Sequence, residues 1–372
     1  MKKILLSLLI LCGLWCSLPL AVYAQQGGDA NQPPWHLLEQ GKMAFEQKNF
    51  GQAMVLISRA RNLHNTQAAK QYDYLFSALK SYEVRAAGDK IANVYNILKE
   101  REDHEACAIL DTIFLTHPPV FFEKSIAKLM AWFKKRQVYP ECDYLIGKIY
   151  EIEGEYQQAF KLYQSAWEAR EFLYIPDMRF EIIYALAHIT ALMNNVNEQE
   201  QYLLLILTED PLYGTTNAES ATFKSMLHII KNEETVEKFF SLYRHHNDIA
   251  LRAYTELTAL YTEAGEFDRA FRTALLAADI AVTYLSGAIK KIDFTYTYTD
   301  FSDLLTYVGA NTDILQLAQS QNIWRIFLQF ADLLQQQGFV LQAADLYAKL
   351  AKSCPAPNYA QEAAYKHSKI LN

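Results

Sequence analysis

The stretch YEIEGEYQQAFKLYQSA, residues 150–166, has a skeleton that returns as YTEAGEFDRAFRTALLA at residues 261–277. In each, apolar residues at helical spacing stop at a short polar segment with one glycine, and a second helical pattern follows. Gly154 and Gly265 stand where a left-handed residue ends the first helix without strain from a side chain. A third copy, LLQQQGFVLQAADLYAKL at 333–350, carries Gly338 and Ala343 in the matching places. A fourth, MAFEQKNFGQAMVLISRA at 43–60, carries Ala53, with Lys48 in place of the glycine. The skeleton predicts helical hairpins. Gly147, Ala159 and, by register, Ala270 fall where the two helices of a hairpin cross, and their small size allows close approach while Tyr150 and Tyr163 fill the space beside the crossing.

The key alanines, at 53, 159, 270 and 343, are 106, 111 and 73 residues apart, close to three, three and two units of about 34 to 37 residues. The pattern resembles the tetratricopeptide repeat. Ile146, Gly147, Tyr150, Ala159 and Tyr163 match its signature in one copy, and Phe327, Phe330, Ala331, Leu334, Ala343, Tyr347 and Pro355 in another. No copy has the signature tryptophan, and Thr258 and Ala274 depart from the signature around Gly265. The resemblance implies an all-α, right-handed superhelical solenoid of about eight or nine hairpins over residues 35–356, with a capping helix at 357–372. Degenerate hairpins fill the gaps, pairing 71–84 with 90–100, 105–117 with 119–136, 179–193 with 198–211 and 221–231 with 235–246. One segment breaks the pattern: IDFTYTYTDF, residues 292–301, alternates Thr with Tyr and favours extended structure. It reads either as a loop that packs its tyrosines on the helices or as an aromatic binding surface. The apolar run before it is too long for one repeat helix unless it ends at Gly287 or projects beyond its neighbours.

With only 13 glycines and 10 prolines in 372 residues, a fold of many short strands is disfavoured. The first 24 residues read as an export signal: a basic start, the run ILLSLLILCGLWCSLPLAV, and Val22 and Ala24 before the cut. Residues 25–34 follow as a flexible linker, and an uncleaved anchor is the other reading of the apolar run. Cys12 and Cys16 match a lipid-attachment signal poorly, because Leu11 and Trp15 precede them. The expected location is the periplasm or cell envelope. Cleavage leaves 33 basic against 42 acidic side chains, a balance that argues against a nucleic-acid partner. Cys107, Cys142 and Cys354 remain, an odd, scattered set that reads as packed thiols and no disulfide framework. The basic segment 121–136 has an apolar stripe of Phe121, Phe122, Ile126, Leu129, Met130 and Phe133, with lysines such as Lys124 opposite. It reads first as core and second as a surface for an anionic membrane.

No phosphate-binding, nucleophile-elbow, zinc-protease or calcium-loop pattern occurs. No enzyme activity, metal or cofactor is expected. His245 and His246 read as a solvated helix end, since adjacent helical residues diverge too far to chelate. The paired acids Glu151 with Glu153, and Glu198 with Glu200, read equally as exposed helix faces. In the resembled family the first helix of each hairpin lines an inner surface, which here gives Trp35, Leu38, Lys42, Tyr144, Lys148, Glu151, Arg252, Thr255, Arg325 and Asp332 as candidate partner-binding residues. The expectation is an exported scaffold that binds a peptide or partner protein. A carrier of a small hydrophobic ligand is the alternative, in which aromatics of 292–301 line a closed cavity.

Overall fold

The computed structural model describes residues 32–81, 90–116, 126–217 and 219–371. The expected leader at 1–24, most of the expected linker, and Phe121, Phe122 and Lys124 lie outside the described residues. The chain is all-α: helices, and no strand among the described residues. It forms two compact units, Met1–Pro176 and Asp177–Asn372.

The first unit holds α1 (Pro34–Glu46), α2 (Phe50–Ser81), α3 (Ile91–Glu100), α4 (His104–Thr116), α5 (Ile126–Arg136), α6 (Pro140–Ile152) and α7 (Tyr156–Glu168). Helix α1 packs on α2, α2 on α6, and α6 on α7. A second core joins the end of α2 to α3, α4 and α5 through Tyr72, Leu75, Val94, Leu98, Leu110 and Phe133. The apolar stripe of the basic segment is therefore spent on this core at Leu129 and Phe133, with Trp132 beside them, while Met130 is left exposed.

The second unit holds α8 (Met178–Leu192), α9 (Val196–Leu207), α10 (Ala221–Asn232), α11 (Glu237–Leu242), α12 (Asp248–Glu263) and α13 (Phe267–Ile292). It continues with α14 (Phe301–Ala310), α15 (Thr312–Ser320), α16 (Ile323–Gln336), α17 (Val340–Ser353) and α18 (Pro357–Leu371). Hairpin α8–α9 meets α12–α13 through α9 and α12, which in turn meets α16–α17 through α13 and α16, and α18 covers α17. Helix α13 runs unbroken past Gly287 to Ile292. It is long and apolar enough to cross a membrane, yet 78% of its apolar window is buried inside the protein, as in a core helix.

One turn recurs. Of the seven described residues in the left-handed region, Asn322 precedes α16, and the other six, Lys48, Glu102, Gly154, Asn194, Gly265 and Gly338, stand in turns that end a helix, with φ between 56° and 84°. In each, the next amide donates back to a carbonyl in the last turn of the preceding helix: Asn49 to Ala44, Asp103 to Leu98, Glu155 to Tyr150, Asn195 to Thr190, Glu266 to Tyr261 and Phe339 to Leu334, all at 2.8–3.0 Å. This is a Schellman-type end, which satisfies a carbonyl otherwise left open at the helix terminus. Seven residues before the turn stands a small residue in five of the six: Gly41, Gly147, Ala187, Thr258 and Ala331. A Cβ on Gly147 would lie 2.6 Å from the Tyr163 ring, and one on Gly41 2.4 Å from Ile57, so the helices touch there at backbone distance. Ala53, Ala159, Ala270 and Ala343, five residues after their turns, are all fully buried.

The turn at Glu102 corrects the pairing of the degenerate hairpins. It joins α3 to α4, whereas residues 71–81 continue α2, a helix of 32 residues. The misreading follows from the absence of glycine at Glu102: a side chain tolerates the left-handed region at a cost, so the sequence leaves no mark there.

Candidate functional site

The candidate inner-surface residues divide on their contacts. In the first unit, Tyr144 is 6% exposed with its ring 5.8 Å from that of Tyr163, so it is packed and not free, as is Leu38. Glu151 accepts the Tyr163 hydroxyl at 2.5 Å. Lys148 is half-buried, its Nζ 5.8 Å above the Phe45 ring and 5.5 Å above Tyr144. Lys42 pairs with Glu39 at 2.7 Å, and Trp35 is 62% exposed.

In the second unit, Asp332 accepts from Tyr347 of α17 and, at 2.8 Å, from Lys366 of α18, so it fastens three helices together. Thr255 donates to the Leu251 carbonyl of its own helix at 2.8 Å. These two, with Tyr144 and Glu151, thus make contacts within the protein: family position marks the face of a helix but not the tie its side chain makes. Arg252 and Arg325 remain exposed. Arg252 pairs with Glu256 at 2.6 Å and lies 4.5 Å over the Tyr184 ring.

Beside that pair, α8, α9 and α12 enclose an open cleft of about 530 Å³, lined by His188, Ala191, Gln199, Glu256, Ala259 and Glu263 among others. Its walls combine small apolar residues with two carboxylates. The cleft exists because alanines stand where larger side chains would fill the space between successive hairpins. Its residues were not singled out in the sequence reading, although Arg252 and Thr255 lie on the same helix.

A buried polar centre lies elsewhere in the second unit. His245 is not the solvated helix end its sequence suggests: residues 243–247 are non-helical, and the ring turns inward to 2.7 Å from Asp210. Asp210 also accepts from Tyr254 at 2.6 Å and from the Leu212 amide at 3.0 Å. Burial pushes the Asp210 carboxyl up, but His245, Tyr254 and that amide outweigh it and hold the group below the ordinary carboxylate range. Asp279, fully buried on α13, has no close hydrogen bond to either oxygen. Burial raises it to about 7, against the pull of nearby His245 and Arg244. Among the described residues, no three or more potential metal ligands come together. Cys107, Cys142 and Cys354 are free thiols, each pushed up by burial and thus kept from the nucleophilic thiolate form.

The tyrosines of 292–301 pack on the protein. Tyr298 donates to Glu237 at 2.5 Å beneath the Arg244 guanidinium, and Tyr296 meets Tyr307 edge-on at 5.0 Å, leaving Phe294 89% exposed.

No family model matches the chain. A protein of Treponema pallidum (strain Nichols), described as uncharacterized, is 43% identical over 340 residues, which cover 91% of each chain. At that identity over nearly the whole length, the chain belongs to the family of that Treponema pallidum protein.

Proposed function

We propose that this chain is an exported, non-enzymatic scaffold of the cell envelope that binds a segment of a partner protein on stacked helical hairpins resembling tetratricopeptide repeats. The cleft between α8, α9 and α12 is the observation that carries this reading. At about 530 Å³ it is open to solvent and is lined by the first helices of two hairpins, α8 and α12, together with α9; in the resembled repeats first helices present the binding surface. Its alanines accept an apolar side chain, while Glu263 and the Arg252–Glu256 pair supply charge at its edge. Such a site suits an extended or helical segment that brings a basic group beside an apolar one. The right-handed superhelical order of the hairpins is part of the proposal. The alternative, a carrier of a small hydrophobic ligand in a chamber lined by 292–301, finds less support, because neither Tyr296 nor Tyr298 lines this cleft.

Photo-crosslinking in the native envelope tests the proposal. A photoreactive side chain at Gln199 or Glu263 is expected to yield a defined protein adduct, absent when the probe sits at exposed Lys352. Ala259→Trp, which fills the cleft, is expected to abolish the adduct with the melting temperature kept. Equal adducts at Lys352, or none at the cleft, would sink the proposal.

A further inference from the structure

A second cleft in the same unit, of about 250 Å³, is lined by residues including Tyr213, Tyr254, Tyr261, Arg269, Arg272 and Leu276. Its polar groups are unequally occupied. Tyr254 gives its proton to Asp210 at 2.6 Å and Tyr261 gives its own to Glu200 at 2.8 Å. Arg269 is neutralised by Glu200 and by Glu266, the latter at 2.7 Å. Arg272 is different. It is half-buried, lines the cleft, and has no hydrogen bond or ion pair among the described residues. Among the described residues, no carboxylate lines the cleft to meet it.

A guanidinium carries five N–H donors in a planar fork and stays charged at any physiological pH. Held half out of water without a partner, it loses hydration that nothing replaces. A carboxylate or phosphate oxygen pair restores those bonds in bidentate geometry. The tyrosine rings and Leu276 offer apolar walls for the body behind such a headgroup. The volume lies below the ~300 to 1,000 Å³ of drug-sized sites, which limits the body to about one ring or a short chain and excludes a nucleotide. We propose that this cleft binds a small organic anion, a carboxylate or phosphate monoester on a compact apolar body, with Arg272 as the residue that recognises the headgroup. This site is separate from the partner cleft and stands or falls without it.

Isothermal titration of the full chain with phenyl phosphate, benzoate, inorganic phosphate and benzyl alcohol tests the inference. At least one aromatic anion is expected to bind more tightly than both inorganic phosphate and benzyl alcohol, and the preferred headgroup tells phosphate from carboxylate. Arg272→Gln is expected to weaken that probe at least about tenfold, as loss of a charged hydrogen bond implies. Arg272→Lys should retain part of the affinity, which separates recognition from misfolding, and Lys290→Gln at the exposed end of α13 should change nothing. The bound probe should also slow amide exchange in residues 261–276. The inference is overturned if benzyl alcohol equals the anions, if Arg272→Gln binds like the wild type, or if no probe binds at about 10 mM.

Discussion

Asp279 is the side chain whose replacement should stabilise the protein, and by an amount that depends on pH. It sits fully buried in the middle of α13 with no close hydrogen bond to either carboxylate oxygen, so ionising it in the folded protein means charging a desolvated group. Its carboxyl rises from the ordinary 3.8 to about 7. At about 1.4 kcal/mol per pKa unit, this amounts to about 4 kcal/mol of penalty once the group is ionised in both states. The folded state holds its proton more tightly than the unfolded state, so between about pH 4 and pH 7 stability falls as pH rises; above that window the penalty is constant. Asp279→Asn removes the titration and keeps the shape. Urea unfolding at a series of pH values, followed by amide exchange in residues 248–292, should therefore show the Asn variant gaining about 2 to 3 kcal/mol on the wild type between pH 5 and pH 8. A difference between the two proteins that stays constant over this range would refute the reasoning, since it would mean that Asp279 ionises in the fold as easily as in water.

Other outcomes follow from the packing. Ala159→Leu and Ala270→Leu should each cost about 1 to 3 kcal/mol by overpacking in urea melts, while Gln158→Leu on an exposed face should cost under about 0.5 kcal/mol. Gly147→Ala brings a methyl group to 2.6 Å from the Tyr163 ring, so it should destabilise the first unit, and Tyr163→Leu in the same chain should recover part of the loss because the ring is what the methyl meets. Glu237 holds Tyr298, the Phe301 amide at 3.0 Å and Lys349 at 2.6 Å. Glu237→Leu should accordingly speed amide exchange in residues 294–301 at least tenfold more than in α16, and equal acceleration in both would show that the segment is anchored elsewhere.

The hairpins were most legible where the turn residue is glycine, and without it they had to be read from the residues around the turn, as at Lys48. Gly154, Gly265 and Gly338 announce their turns because only glycine enters the left-handed region freely. Glu102 and Asn194 make the same turn with the same returning hydrogen bond, yet leave no local mark. The pairing around Glu102 was therefore misassigned, while the α8–α9 pair was found from its apolar period alone. For helix α13 the sequence left open whether the run stops at Gly287; the helix continues through it to Ile292.

The contacts of the candidate site residues were less legible, because a binding surface is defined by what packing does not use. Tyr144 and Arg252 both lie on first helices, but a neighbouring ring takes up Tyr144, whereas Arg252 keeps its charge at a cleft edge. His245 shows the same limit from the other side: its sequence, RHHND, is that of an exposed turn, and it is drawn inward by Asp210, 35 residues earlier in the chain. No local pattern encodes that pairing. The free guanidinium of Arg272 is likewise invisible until Arg269, one helical turn before it, is seen to take both Glu200 and Glu266. Two arginines of similar sequence context thus acquire opposite roles, the first as a tie between helices and the second as the one left to meet a ligand.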